Sequence, residues 1–341
     1  MIRVATSERG LEIILILLLG QTSLAAQAQD RDKGEPLVLH SVLVQTLKMP
    51  VQPVRGLVFG GGQASIAALG DDGKVRVWDL DGGDAPRTIV LPDHPKSVTC
   101  LTASPDGNWL AVGEDFSRAE VFTSKIDLID AATGNEVRAL STHHWEVESV
   151  AFSRDGRWVV SSNWDGKVRV LEFPSGSEAR EFEAGFKPRC AAISADAKIV
   201  AAGGSEAIVA LWDRDSGAEL QRLEGHSGTI TALSFSPDGR RIASSSNDGS
   251  VRIWELATGR SLATLSGHVG AVHSVAYSAD GKFVVSGGLD GTVRVWDAVS
   301  RENIATLGAH SSVWQVAVAS DDRYLAAGYA DGIINVWRIQ E

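Results

Sequence analysis

The chain is poor in the residues that most often carry out chemistry. Its 341 residues include only two cysteines, Cys100 and Cys190, two methionines and three tyrosines. There is no CxxCH for covalent haem, no HExxH, no paired CxxC and no glycine-rich phosphate loop ahead of a helix. No cofactor and no metal set is expected. The single histidine pair is His143-His144, of which His144 reads as a solvated loop residue. Long Lys/Arg runs are missing too, and the formal net charge is −11. A nucleic-acid binder needs a basic footprint to neutralise phosphates, so this balance argues against DNA or RNA as a partner.

Long apolar runs are scarce. The longest, Ile13 to Leu19, follows Arg3 and Arg9 and precedes Ala26-Gln27-Ala28, a small-x-small pattern. This is the layout of a secretory signal peptide over residues 1–28, cut after about Ala28, and it predicts an exported protein, periplasmic or secreted. Glu8 and Glu12 run against the pattern, and an uncleaved membrane anchor is the alternative. The run is well short of the roughly 20 residues that span a bilayer, so no stable span is expected after cleavage. Residues 29–36, QDRDKGEP, read as a flexible leader.

Glycine and tryptophan, by contrast, are abundant, at 35 and 10 residues. Glycine accepts positive φ without steric cost, so many tight turns and short strands are expected. The tryptophans are periodic. Trp212, Trp254, Trp296 and Trp337 lie 42, 42 and 41 residues apart, each closing a segment of one design: IVALWD, VRIWE, VRVWD, INVWR. Leu171, Ile129 and Trp78 continue the phase backwards, with one long gap around AVGEDFSRAEVFTSKIDLID. The seven copies alternate with a period of two and are broken, in the better copies, by Asp-Gly turns, the pattern of antiparallel strands. One four-stranded unit cannot bury both faces alone, whereas seven around an axis can.

The phased copies, with Gly225-His226, Gly267-His268, the terminal Trp-Asp pairs at 78, 212 and 296, and Asp-Gly turns at 72, 165, 248, 290 and 331, resemble the WD-repeat (tryptophan–aspartate) β-propellers. The resemblance covers residues 37–341. It implies an all-β, seven-bladed propeller of four-stranded antiparallel blades. It also implies that Leu37–Leu47 completes the last blade and closes the ring, removing an open sheet edge.

His226, Ser244 and Asp248 are the residue types of a hydrolase triad. They recur in step with the repeat: His268 precedes Asp290 by 22 residues, as His226 precedes Asp248. A catalytic set occurs once per site, so recurrence favours a structural role. The resemblance implies two buried networks, His226–Ser244–Asp248–Trp254 and His268–Ser286–Asp290–Trp296. Blade 3 keeps His143, Ser161 and Asp165 without the tryptophan, and the fourth copy departs most, with Ala184, Ala202 and Glu206. These incomplete blades are expected to lean on apolar packing. Cys100 and Cys190 fall at one repeat position in blades that do not touch, which predicts two free thiols rather than a disulfide.

In the family, partners bind the face that carries the loops before each first strand and the turns between second and third strands. Here that face is predicted to carry Arg55, Thr99, Glu148, Arg189, Thr231, His273 and Trp314, one early in each innermost strand. The residues before the turn aspartates add Asp71, Trp164, Asn247, Leu289 and Ala330. Trp145, Trp164 and Trp314 sit outside the repeated core position, and exposed aromatics often anchor interfaces. The insertion around 114–125 is expected on the same face. The functional expectation is a monomeric, non-catalytic propeller that binds protein or peptide partners within a complex. The alternative is a propeller enzyme or small-ligand binder that uses the central channel.

Overall fold

The computed structural model describes residues 27–29, 36–60, 65–82, 85–90, 98–114, 124–143, 145–308 and 310–340. Residues 1–26, most of the predicted signal peptide, lie outside them, as do His144, residues 115–123 of the insertion and the side chain of His143. No helix of the described residues is long and apolar enough to cross a membrane.

Seven four-stranded antiparallel sheets are arranged in a ring. The blades span residues 54–90, 98–143, 147–183, 188–224, 230–266 and 272–307, and the seventh combines 313–340 with His40–Lys48. Within each of the first six blades the strands follow chain order from the axis outward, and in the seventh His40–Lys48 takes the outermost place. The innermost strand of each blade packs against that of the next, and the seventh, Val313–Val318, returns to the first, Val54–Phe59.

The closing strand pairs antiparallel with Ile333–Gln340, from His40 opposite Gln340 to Lys48 opposite Ile333. Ring closure by the N-terminal strand is therefore as expected, with the strand starting at His40 rather than Leu37. Gln27–Gln29 and Pro36–Val38, at the two ends of the stretch read as a leader, pair with each other in a short ladder.

The core lies between blades rather than around one centre. Buried apolar clusters join neighbouring sheets, as where Val251, Ile253 and Leu265 of blade 5 meet Val272, Val275 and Val284 of blade 6. Close approach needs a small residue on the second strand. A Cβ added at Gly203 would stand 2.5 Å from Ile230 Cγ2 of the next blade, and one at Gly287 would stand 2.4 Å from Val313 Cγ1.

Two irregularities recur around the ring. One, in blades 2 to 7, interrupts the pairing of the third strand with the outermost, just before the repeated tryptophan position, as between Ile253 and Trp254. The other interrupts the innermost strand after its first residue, between Val54 and Gly56 in blade 1 and between Val313 and Gln315 in blade 7. The second positions the site.

Candidate functional site at the channel mouth

The second residue of each innermost strand is left out of the ladder by that irregularity. In chain order these residues are Arg55, Thr99, Glu148, Arg189, Thr231, His273 and Trp314, and each is skipped in its blade's register. A bulge re-aims the side chain of the extra residue. Repeated seven times, it turns one side chain per blade toward the axis. All seven line one cavity of about 570 Å³ at the mouth of the channel.

Three of the turn residues join them: Asp71, Trp164 and Asn247. Leu289 and Trp145 do not line the cavity; they stand outside it, 51% and 52% exposed. The structure thus brings together every predicted partner-facing residue from the innermost strands and leaves Trp145 apart. The bulge itself was not read from the sequence, because nothing in the side-chain pattern marks a skipped backbone pair.

Trp314 departs from the expectation of an exposed anchor. It is half-buried. His273 of blade 6 stacks on it at 5.7 Å and 22°, and the Arg55 guanidinium of blade 1 lies 4.9 Å from its ring centroid. The flanking blades therefore cover Trp314 and leave it little free surface. Arg55 also donates from Nε to Asp71 Oδ1 at 2.6 Å. Burial, and then the nearby charge of Arg189, hold the His273 imidazole below its ordinary value, so it is neutral at pH 7. Across the mouth, Lys187 lies over Trp164 at 5.0 Å, and Arg189 Nε is 3.8 Å from Glu148 Oε2. Among the described residues, no group of three His, Cys, Asp or Glu could hold a metal ion.

The suspected triads are built as blade networks. Trp254 Nε1 donates to Ser244 Oγ at 2.8 Å, Ser244 Oγ lies 2.9 Å from His226 Nε2, and His226 Nδ1 lies 2.7 Å from Asp248 Oδ2. Blade 6 repeats this: Trp296 to Ser286 at 2.9 Å, Ser286 to His268 at 2.8 Å, His268 to Asp290 at 3.0 Å. The tryptophan can only donate, so the serine O–H donates a hydrogen bond to His Nε2, and Nδ1–H donates to the carboxylate. A serine engaged in this way and fully buried, as Ser244 and Ser286 are, is a strut.

Burial, outweighing the pull of Asp248, keeps the His226 imidazole below its ordinary value, and His268 behaves likewise. Burial would raise the Asp248 carboxyl, but hydrogen bonds from Ser250, the Ser227 N–H and His226 together hold it at about 2. Each His–Asp contact is therefore a hydrogen bond to a carboxylate rather than an ion pair at neutral pH.

Incomplete blades were expected to rely on apolar packing, but two of them use an arginine. Arg169 Nη2 contacts Asp165 Oδ2 at 3.0 Å in blade 3, and Arg76 Nη2 contacts Asp72 Oδ2 at 2.6 Å in blade 1. In blades 5 and 6 the arginines at that position, Arg252 and Arg294, lie over Trp254 and Trp296 instead. In blades 5 and 6, where a histidine takes the carboxylate, the arginine stacks; in blades 1 and 3 the arginine reaches the carboxylate. The two cysteines are free, Cys190 buried and Cys100 half-buried.

Residues 86–117, 134–171, 217–255, 259–297 and 301–338 match the family model described as WD domain, G-beta repeat. Together they cover more than half of the chain. Residues 172–216, most of blade 4, fall between the matched segments. Cell division cycle 20.1, cofactor of APC complex, from Arabidopsis thaliana is 25% identical over 185 residues, covering 52% of this chain and 38% of that protein. Pre-mRNA-processing factor 19 from Oryza sativa subsp. japonica is 25% identical, covering 56% and 34% respectively. Nuclear distribution protein nudF from Aspergillus niger is 26% identical, covering 57% and 48%. The chain thus aligns with a third to a half of the length of these relatives.

Proposed function

The chain belongs to the WD40-repeat β-propeller family, and on that premise we propose that it is a non-catalytic platform binding protein partners across its channel mouth. The observation that carries this reading is the sevenfold bulge: a rigid ring aims one side chain per blade into a single opening, and these side chains vary around the ring, with arginine and threonine twice and glutamate, histidine and tryptophan once each. A regular scaffold with a varied rim is suited to recognition by shape and a few anchors. The names of the relatives support it, one being a cofactor of a complex. The propeller acts as a monomer within an assembly. The N-terminal pattern supports export, which N-terminal sequencing of the mature protein would test.

A photo-crosslinking residue at Asn247, on the mouth, is compared with one at Arg240, in the opposite turn of the same blade. Adducts with a partner polypeptide are expected from position 247. Adducts from position 240 alone would place the binding face on the other side.

A further inference from the structure

The charges at the mouth are unevenly committed. Asp71 is held by Arg55 at 2.6 Å, and Arg55 in turn covers Trp314. The Glu148 side chain is only 12% exposed. Arg189, in contrast, is half exposed; its one charged contact is the 3.8 Å approach to Glu148, longer than a hydrogen bond, and it donates no hydrogen bond among the described residues. Lys187, two residues earlier, is also exposed, with its ammonium over Trp164. Both cations enter from blade 4, most of which, like most of blade 1, lies outside the segments matched by the family model.

Blade 4 also departs in its turn residues. Ala207 adopts φ of +60° where Gly73, Gly166, Gly249, Gly291 and Gly332 stand in other blades, and Ala197 adopts +57° where blades 2, 3, 5 and 6 have glycine and blade 7 has Asp322. It has lost the polar network of its neighbours, and its entry carries Lys-Pro-Arg. In a protein of net charge −11, two exposed cations, neither within hydrogen-bond distance of a carboxylate among the described residues, stand beside Trp164, 42% accessible, and mark a complement for negative charge.

We propose that the blade 4 side of the mouth, where Arg189 and Lys187 flank Trp164, receives an aspartate or glutamate side chain from an extended segment of a partner protein, with an apolar neighbour of that residue resting on Trp164. Arg189 supplies a planar fork of donors to the carboxylate and Lys187 a second charge. Trp164 offers a flat apolar face with little conformational entropy to lose. This inference rests on the reading of the mouth as the binding face.

The test is selection from a random peptide display library on the immobilised wild-type protein and on Lys187→Glu/Arg189→Glu. Both substitutions lie at exposed positions, and circular dichroism checks that the fold is kept. With the wild type, Asp or Glu is expected to be enriched at one position beside an aromatic or aliphatic residue; with the variant, that position should switch to Lys or Arg. A selected peptide remade with Gln in place of the acid should bind roughly tenfold more weakly or worse, from loss of a charge-assisted hydrogen bond. Acidic enrichment that persists in the variant, or selected sequences without an acid, would overturn the inference while leaving the binding face intact. Failure of both proteins to select any sequence would overturn the reading of the face and this inference with it.

Discussion

The Asp127 carboxylate stands in blade 2 at the strand position that the Arg252 guanidinium holds in blade 5. Asp127 pairs with Val112 and Val112 with Leu101; Arg252 pairs with Ser244 and Ser244 with Leu233. Around Asp127 the blade has rebuilt its charge. Lys125 Nζ lies 3.0 Å from Asp127, 3.5 Å from Glu136 and 3.9 Å from Glu114. Glu114 and Asp127 are both buried.

Burial, and then the hydrogen bond and charge of Asp127, push the Glu114 carboxyl up to about 9. At neutral pH it keeps its proton and donates a hydrogen bond to Asp127. Because the folded value lies above the unfolded one, this group favours folding most at low pH, and its contribution falls as pH rises from about 4.5 toward 9. Glu114→Gln, which keeps a donor facing Asp127, is expected to gain thermal stability relative to the wild type at pH 9 and much less at pH 6. Parallel melting curves at both values would show that the proton is not there.

Ser244 joins Trp254 and His226, so Ser244→Ala strands two buried groups at once. A loss of about 1–3 kcal/mol in denaturant unfolding is expected. Ser161 holds the same position in blade 3, where Leu171 replaces the tryptophan and has no N–H to satisfy. Ser161→Ala should cost less, and equal losses would deny the network its value.

Ala207 occupies the left-handed region at φ +60°, in the turn where other blades place glycine. Ala207→Gly relieves that strain, at some cost in unfolded-chain entropy. A net stabilisation of roughly 0.5 kcal/mol or more is expected in chemical denaturation, and a destabilised variant would mean that the Ala207 methyl packs to advantage.

Burial raises the thiols of both Cys100 and Cys190 to about 12. Neither should react with a thiol reagent at pH 8 in the folded protein, and both should react in denaturant. Rapid labelling of the native protein would contradict this burial.

The sequence displays the ring because its cause is periodic: the tryptophan phase, the Asp-Gly turns and the recurring His–Ser–Asp spacing each repeat with the blade. The mouth was half legible. Repeat position identified Arg55, Arg189 and Trp314 as facing one way, but the reason, a skipped backbone pair, leaves no mark on side-chain pattern. Trp314 looked like a free anchor because its cover, His273 and Arg55, comes from the blades on either side. The Glu114–Asp127 pair was missed because KIDLID alternates like any strand, and the burial of both its faces is decided by neighbours. The arginine substitutes in blades 1 and 3 were hidden because one residue type fills two roles.

Thr46 and Asn335 are joined by a 2.9 Å hydrogen bond across 289 positions of chain. The clasp between the first full strand and the last therefore cannot fasten until almost the whole sequence has left the ribosome. Until then the blades form an open arc whose two end surfaces, later neighbours, are both bare to solvent. Loss of His40–Lys48 strips the outer edge of the seventh blade, and loss of Ile333–Gln340 removes the partner of that edge, so damage near either clasp strand falls on one blade.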